Sequence, residues 1–394
     1  MTDITTFEQL NLEESTIRAV TKMGFAAPTP VQAKTIPVMM EGRDVICKAP
    51  TGTGKTCAFG IPILEQLHPD LTDIQAVAVC PTRELCIQIT EELRQLAVFR
   101  PELRVVPLYG GQPIRRQLEA LKKRPQMVVA TPGRLLDHMN RGSVWLGNVY
   151  TAVLDEADEM LKMGFIKDVR KILNATPADT QLVMFSATIS RDVTDIAWEY
   201  LQDPAEINVE AVGDNRPKIA QYTLVCPPDK RIEQLLALIA GLDLRRVMVF
   251  CNRKSTVQWL EKKLIREQSA TRGKRMSAEC LHGDIPQSQR NRVMNGFRRG
   301  TFEILVCTDV AARGIDVDDV EAVVNFDIPE ENEYYLHRIG RTGRAKRHGI
   351  SVTFMTPGDQ FRMRDIRKYC RSETEELVIN EDGSIATSSG ETVK

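Results

Sequence analysis

Residues 45–56 read V-I-C-K-A-P-T-G-T-G-K-T. The opening apolar run has the character of a buried strand, and the glycine-containing stretch after it leads into a segment of helical period. A strand, a glycine loop and a helix in that order make a phosphate-binding loop, because the backbone amides at the helix N-terminus face an anion and glycine lets it come close. Thr51, Gly52, Thr53 and Gly54 form the cradle, Lys55 is set to contact the β- and γ-phosphates, and Thr56 to put its hydroxyl on Mg²⁺. Ala49 stands where the general pattern has glycine, so the flanking strand and helix carry the reading.

Outward from this loop, short runs rich in Val and Ile alternate with helical stretches: Ala76 to Cys80, Met127 to Ala130, Thr151 to Leu154 and Leu182 to Phe185. That pattern predicts buried parallel strands joined by helices. It stops at residues 209–218, where Gly213, Asp214, Asn215 and Pro217 replace periodicity and predict a linker. It resumes with Val247 to Cys251, Glu279 to Leu281, Ile304 to Cys307, Val320 to Phe326 and Ser351 to Met355, separated by stretches such as Ser255 to Arg266. The expectation is an α/β protein of two domains, residues 1–208 and 219–376, each a mostly parallel sheet flanked by helices. The polar tail, residues 377–394, reads as disordered.

The run Thr151 to Leu154 ends in D-E-A-D at 155–158, which puts acids at the carboxyl edge of a parallel sheet, where ligands bind. Alone, these acids read as a helix N-terminus that suits the dipole. With a phosphate loop about a hundred residues upstream, Asp155 becomes the metal-side carboxylate and Glu156 the group that polarises an attacking water. In the second half, H-R-I-G-R-T-G-R at 337–344 places three arginines at intervals of three between glycines. Arg forks neutralise a transferring phosphoryl group, so the segment reads either as a surface loop or as fingers for a site that lacks its own arginine.

A chain of 394 residues suits about two domains of ordinary size. With 42% hydrophobic and 27% charged residues it has the make-up of a folded α/β protein. None of its nine cysteines are spaced Cys-x-x-Cys, and Met1 to Leu12 carries acids where a signal peptide is apolar, so free thiols in a reducing, cytoplasmic compartment are expected. No window approaches the ~20 apolar residues of a membrane helix. The net charge of −1 divides into −5 for residues 1–210, +6 for 211–376 and −2 for the rest, so a nucleic-acid site has to be a local groove, with the second half supplying more positive field.

Taken together, these motifs resemble the DEAD-box RNA helicases over residues 5–372. G-F-A-A-P-T-P-V-Q at 24–32 is similar to the family's Q motif, with Phe7 seventeen residues before Gly24. The resemblance implies two tandem RecA-like domains, ATP with Mg²⁺, Phe7 stacked on adenine and Gln32 at the adenine edge. It implies that S-A-T at 186–188, through Ser186 and Thr188, couples hydrolysis to duplex separation, with His337 in the same role. It assigns Asp316 to the ribose and Arg341 and Arg344 as arginine fingers. RNA contacts carried over are Pro81, Thr82 and Arg83, Gly110 with Gly111, Thr131 and Arg134, Gln287 and Arg290, and Thr308. V-F-C-N-R at 249–253 is a loose version of the fourth motif, which leaves its RNA contact open. Strand-to-helix turns that offer amides, hydroxyls and arginines bind sugar and phosphate and give sequence-independent recognition.

The expected activity is ATP-driven local unwinding of RNA, on single strands and short duplexes, by a monomer that closes its two domains on RNA and ATP. An ATP-gated clamp that holds RNA without unwinding it uses the same motifs. A DNA translocase is remote, because the Q motif and D-E-A-D point to RNA. The family's extended C-terminal segments have no counterpart in the short acidic tail, so targeting is expected from the core, a partner protein or further residues.

Overall fold

The computed structural model describes residues 4–50, 52–209, 219–268, 277–312, 320–343, 349–370, 372–380 and 382–393. The chain divides into two compact units, Met1–Asn215 and Arg216–Lys394. That division falls within the expected linker, whose residues 210–218 lie outside the described ones.

The first unit is built on β1 (Val45–Lys48), β2 (Ala76–Val79), β3 (Val105–Leu108), β4 (Met127–Ala130), β5 (Thr151–Leu154), β6 (Gln181–Ser186) and β7 (Ala205–Asn208). They form one sheet in the order β3-β4-β2-β5-β6-β1-β7, with every pairing parallel. Parallel neighbours require crossover connections, which the intervening helices supply. Successive residues enter different cores: Ala76, Ala78 and Val153 join one apolar cluster, while Val77, Val79, Ala152 and Leu154 join the other. Both faces are therefore buried, which is why these strands read as continuous apolar runs; each fully buried Val or Leu contributes about 1.5–3 kcal/mol.

The second unit contains β8 (Ile219–Val225), β9 (Val247–Phe250), β10 (Ala278–Leu281), β11 (Ile304–Cys307), β12 (Ala322–Asn325), β13 (Gly349–Met355), β14 (Glu375–Ile379) and β15 (Ile385–Thr387). Their order, β10-β11-β9-β12-β13-β8-β14-β15, repeats that of the first sheet with each strand number raised by seven and one strand added. Only the β14–β15 pair is antiparallel. The two halves are thus the same architecture twice.

The tail corrects the expectation of disorder. β14 pairs with β8 at Glu375 and Glu376, in the place β7 takes beside β1, and β15 folds back on it. The turn between them closes through Asn380 N–H to Ser384 O at 2.9 Å, with Gly383 at φ +82°. Leu377 and Ile385 are each 2% exposed in the second core. Polar residues dominate this segment because it is an edge with one wet face; only the inward positions are apolar. Three other strands were missed in the sequence for their own reasons: β3 is an edge strand interrupted by Pro107, a residue tolerated there, and β7 and β8 are only partly buried. All nine cysteines are free, eight of them buried, as expected.

Leu377→Ala is expected to cost about 2–3 kcal/mol, as a buried leucine truncation does. The check is a chemical denaturation midpoint; an unchanged midpoint would mean that the hairpin does not pack as part of the core.

Candidate active site

The loop after β1 takes its shape from its glycines. Gly52 and Gly54 lie at φ +77° and +88°, a left-handed backbone in which other residues are strained. A Cβ on Gly54 would also meet Gln32 Nε2 at 2.5 Å. Residues 29–32 brace the loop from below: Thr29 Oγ1 donates to Thr53 O at 2.8 Å, and Gln32 Nε2 donates to Gly54 O at 3.1 Å while its Oε1 accepts from Thr29 N–H at 2.9 Å. Lys55 and Thr56 open the helix Lys55–Gln66 that follows.

Lys55 is 7% exposed, and among the described residues its ammonium has no hydrogen-bond partner. Its ion-pair partner is Asp155, whose Oδ1 lies 3.9 Å away, too far for a hydrogen bond. Burial pushes the Asp155 carboxyl above its ordinary value, with Lys55 and the Glu156 amide opposing that shift. A buried ammonium without hydrogen bonds beside a buried carboxylate fits a site that receives an anion and a cation together. No group of three or more His, Cys, Asp or Glu among the described residues could hold a metal by itself.

Asp155 leaves β5, and Glu156 turns into the left-handed region at φ 52°, its N–H donating to Asp155 Oδ1 at 3.0 Å. Such a conformation costs a non-glycine residue about 1–2 kcal/mol and persists where surroundings enforce it, commonly at functional sites. Glu156 is the N-cap of the helix Ala157–Lys162, and its side chain makes no capping bond. Asp158, one helical turn past Asp155, accepts from Thr188 N–H at 3.0 Å and Thr188 Oγ1 at 2.8 Å, and Ser186 Oγ donates to Thr188 O at 2.6 Å.

Sheet order sorts the remaining residues. The turns after β3, β4 and β2 carry Gly110 and Gly111, Thr131 and Arg134, and Pro81 to Arg83, all on one side of β5. β6 and β1, with Ser186 and the phosphate loop, lie on the other. Arg83 and Gly111 meet: Gly111 has φ +85°, and a Cβ there would lie 2.1 Å from Arg83 Nη1. Arg134 Nη1 donates to Gln112 O at 3.1 Å and Gln117 Oε1 at 3.0 Å, tying the β4 turn to the β3 turn. Thr82 is occupied as a helix cap, its side chain accepting from Leu85 N–H at 3.3 Å, whereas Thr131 begins its helix without such a bond.

In the second unit Arg338 and Arg341 differ in their surroundings. Arg338 is 1% exposed and donates to both oxygens of Asp309 at 2.6 Å, to Asn252 Oδ1 and Asp327 O at 2.8 Å, and to Asn325 Oδ1 at 3.3 Å. Its whole fork is internal. Arg341 and His337 line a narrow cleft with Tyr334 and Phe250, and the Arg338–Asp309 pair forms part of its wall. Arg290 Nη2 donates to Ala311 O at 2.5 Å, at the end of the short helix that Thr308 begins through its carbonyl. Thr51, Asp316 and Arg344 lie outside the described residues, as does the side chain of Gln287.

The sequence pattern of the DEAD/DEAH box helicase matches residues 29–196, and that of the helicase conserved C-terminal domain matches residues 230–346. The DEAD-box ATP-dependent RNA helicase CshA of Geobacillus kaustophilus is 44% identical over 374 residues, which is 95% of this chain and 78% of that protein. The chain belongs to the DEAD-box helicase family. Among solved structures, S. cerevisiae Dbp5 bound to RNA and ADP BeF3 is similar with a TM-score of 0.82 at 29% identity, covering 94% of this chain and 95% of that one. A DEAD box protein from Methanococcus jannaschii is 37% identical with a TM-score of 0.54, covering 95% and 99%. Both units are RecA-like domains, as the motifs implied.

Two members of this DEAD-box site escaped the sequence reading. Asp158 was quoted only as part of a motif, although its spacing of three from Asp155 on a short helix was a usable signal. Arg338 carried none, since only the fold separates it from Arg341. Phe7 is 4% exposed within the first core, and Gln32 is engaged with the phosphate loop.

Gly111→Ala is expected to displace Arg83 and weaken RNA binding about tenfold, or ~1.4 kcal/mol, with nucleotide affinity retained. Fluorescence anisotropy with labelled RNA reads the loss; full affinity would remove the Arg83–Gly111 turn from RNA binding.

Proposed function

We propose that this DEAD-box protein is an ATP-dependent RNA helicase, an RNA-dependent ATPase that separates short duplexes locally and remodels RNA–protein complexes. The observation that carries the reading is the buried Lys55–Asp155 pair beneath the glycine loop, poised for a nucleotide in a chain 44% identical to CshA. The reading has residues 1–208 as the ATP-binding domain and residues 219 onward as its partner domain, and it has a monomer acting in the cytoplasm on single-stranded RNA and short duplexes, with a protein partner supplying the target. Among the described residues no helix is long and apolar enough to cross a membrane.

Lys55 and the amides of residues 51–54 would hold the β- and γ-phosphates, Phe7 and Gln32 the adenine and Asp316 the ribose. Mg²⁺, held by Thr56 and Asp155 with phosphate oxygens, would neutralise charge on the phosphates. Glu156 would accept a proton from the attacking water, and Arg341 and Arg344 would be drawn onto the γ-phosphate when RNA closes the two domains. Pro81 to Arg83, Gly110, Gly111, Thr131 and Arg134 would hold one stretch of the strand, and Gln287, Arg290 and Thr308 another. Binding through backbone groups suits recognition without sequence. Ser186, Thr188 and His337 would pass the nucleotide's state to the RNA side, and the Thr188–Asp158 bonds support that role.

ATP hydrolysis is measured with no nucleic acid, with single-stranded RNA and with DNA of the same sequence. RNA alone is expected to stimulate it, Glu156→Gln to abolish it, and Arg341→Ala to lower kcat about 10³-fold with ATP binding spared. Equal rates under all three conditions would overturn the assignment, and RNA that stays bound through hydrolysis without duplex separation would make the protein a clamp. Thr188→Ala is expected to keep RNA-stimulated hydrolysis within a few-fold and to lose most strand separation, read by release of a short labelled strand.

A further inference from the structure

The first unit carries a charge of −5 over residues 1–210, yet one short stretch runs against it. The helix Ile114–Leu121 and the turn after it expose Arg115, Arg116, Lys122, Lys123 and Arg124, with Glu119 the one acid among them. Glu119 pairs with Lys122 at 2.8 Å, which leaves a strong local excess of positive charge. The helix lies where its inner face is fixed: Gln117 is buried, donates through Nε2 to Tyr109 O at 2.8 Å, and accepts from Arg134 and a ring nitrogen of His138 through Oε1. The outer face is therefore turned away from the unit by a buried polar network and is not free to rotate inward.

Beside that face is an open bowl of about 780 Å³, within the ~300–1,000 Å³ range of small-ligand clefts. Arg115, Arg116 and Lys122 supply its positive charge against the one acid Glu119, Leu118 and Leu121 its apolar surface, and Ser143 a wall. Trp145 follows Ser143 by two residues, so its Cα is within ~7 Å of that wall. Its indole packs against the backbone at Gly147, where a Cβ would lie 2.3 Å from Cζ2, and the side chain stays 67% exposed. Trp145 is thus an anchored, exposed aromatic two residues along the chain from a basic, partly apolar bowl, and basic groups with a nearby aromatic can stack a base while neutralising its phosphates.

We propose that this bowl is an accessory RNA site that takes the single-stranded flank of an RNA already held at the turns of Arg83, Gly110, Gly111 and Arg134. The inference rests on the RNA-binding reading above. The helix begins three residues after Gly111 and runs ~12 Å to Lys122, so a strand leaving the β3 turn meets the basic face next. Charge complementarity selects the occupant: the patch is basic in an otherwise acidic unit, and RNA is the polyanion bound alongside. The site extends footprint and affinity and takes no part in hydrolysis.

Full-length protein is titrated, with a non-hydrolysable ATP analogue and varied salt, against an RNA just long enough for the core turns and against the same RNA with an added single-stranded flank. Wild type is expected to bind the flanked RNA more tightly and with a steeper salt dependence. The triple variant R115Q/R116Q/K122Q is expected to lose that advantage, its salt slope falling by about 2, since each single-strand phosphate contact contributes ~0.7. Trp145→Ala is expected to weaken the flanked RNA on the order of tenfold. Both variants should bind the short RNA, and hydrolyse ATP at saturating RNA, as wild type does. Wild-type levels of flanked-RNA binding in both variants would overturn the site, including in favour of an acidic protein partner for the same patch. Failure of wild type to bind either RNA would instead overturn the RNA reading itself.

Discussion

A parallel sheet buried on both faces leaves one place for chemistry. The strands Val45–Lys48, Thr151–Leu154 and Gln181–Ser186 are packed above and below by apolar clusters, so a charged side chain on either face would be buried without a partner. Polar groups are pushed to the turns at the carboxyl ends, and because all strands point the same way those turns share one edge. Adjacency in the sheet then becomes adjacency in the site: Ala49 N–H bonds to Ser186 O at 3.0 Å, and Asp155 N–H to Val79 O at 2.9 Å. The order of strands places the phosphate loop at one side, the turns with Arg83 and Gly111 at the other, and D-E-A-D with S-A-T between them. Asp158 and Thr188, bonded to each other, join the turn after Thr151–Leu154 to the turn after Gln181–Ser186.

The two most buried cations show how burial separates structure from function. Arg338 has its guanidinium bonded to Asp309, Asn252, Asn325 and a carbonyl, and it stacks over Phe250 at 5.3 Å. Such a fully satisfied charge holds elements together and offers nothing to a ligand. Lys55, also buried, faces a carboxylate 3.9 Å away and lacks hydrogen bonds among the described residues. In the proposed function a phosphate would supply the missing hydrogen-bond partner. Beside this pair Glu156 holds a left-handed backbone conformation at φ 52°.

Duplication explains the ends of the chain. Because the second sheet repeats the first, its strand Ile219–Val225 requires an edge neighbour like the one Ala205–Asn208 gives to Val45–Lys48, and the tail strand Glu375–Ile379 supplies it. The added strand Ile385–Thr387 then covers what would be an open edge. A segment that looks too polar to fold is ordered by the backbone bonds it completes.

The sequence by itself determined whatever depends on local pattern. Central strands were legible because burial on both faces demands unbroken Val, Ile and Ala runs, and the phosphate loop and D-E-A-D because their chemistry is carried by neighbours in the chain. Only the tertiary structure decided what depends on residues far apart in sequence. It alone distinguishes Arg338 from Arg341, joins Arg83 to Gly111, engages Gln32 with the loop at Gly54, and turns a polar tail into an edge hairpin. The reason is that hydrogen bonds and burial belong to pairs brought together by the fold, and a one-dimensional pattern records only one member of each pair at a time.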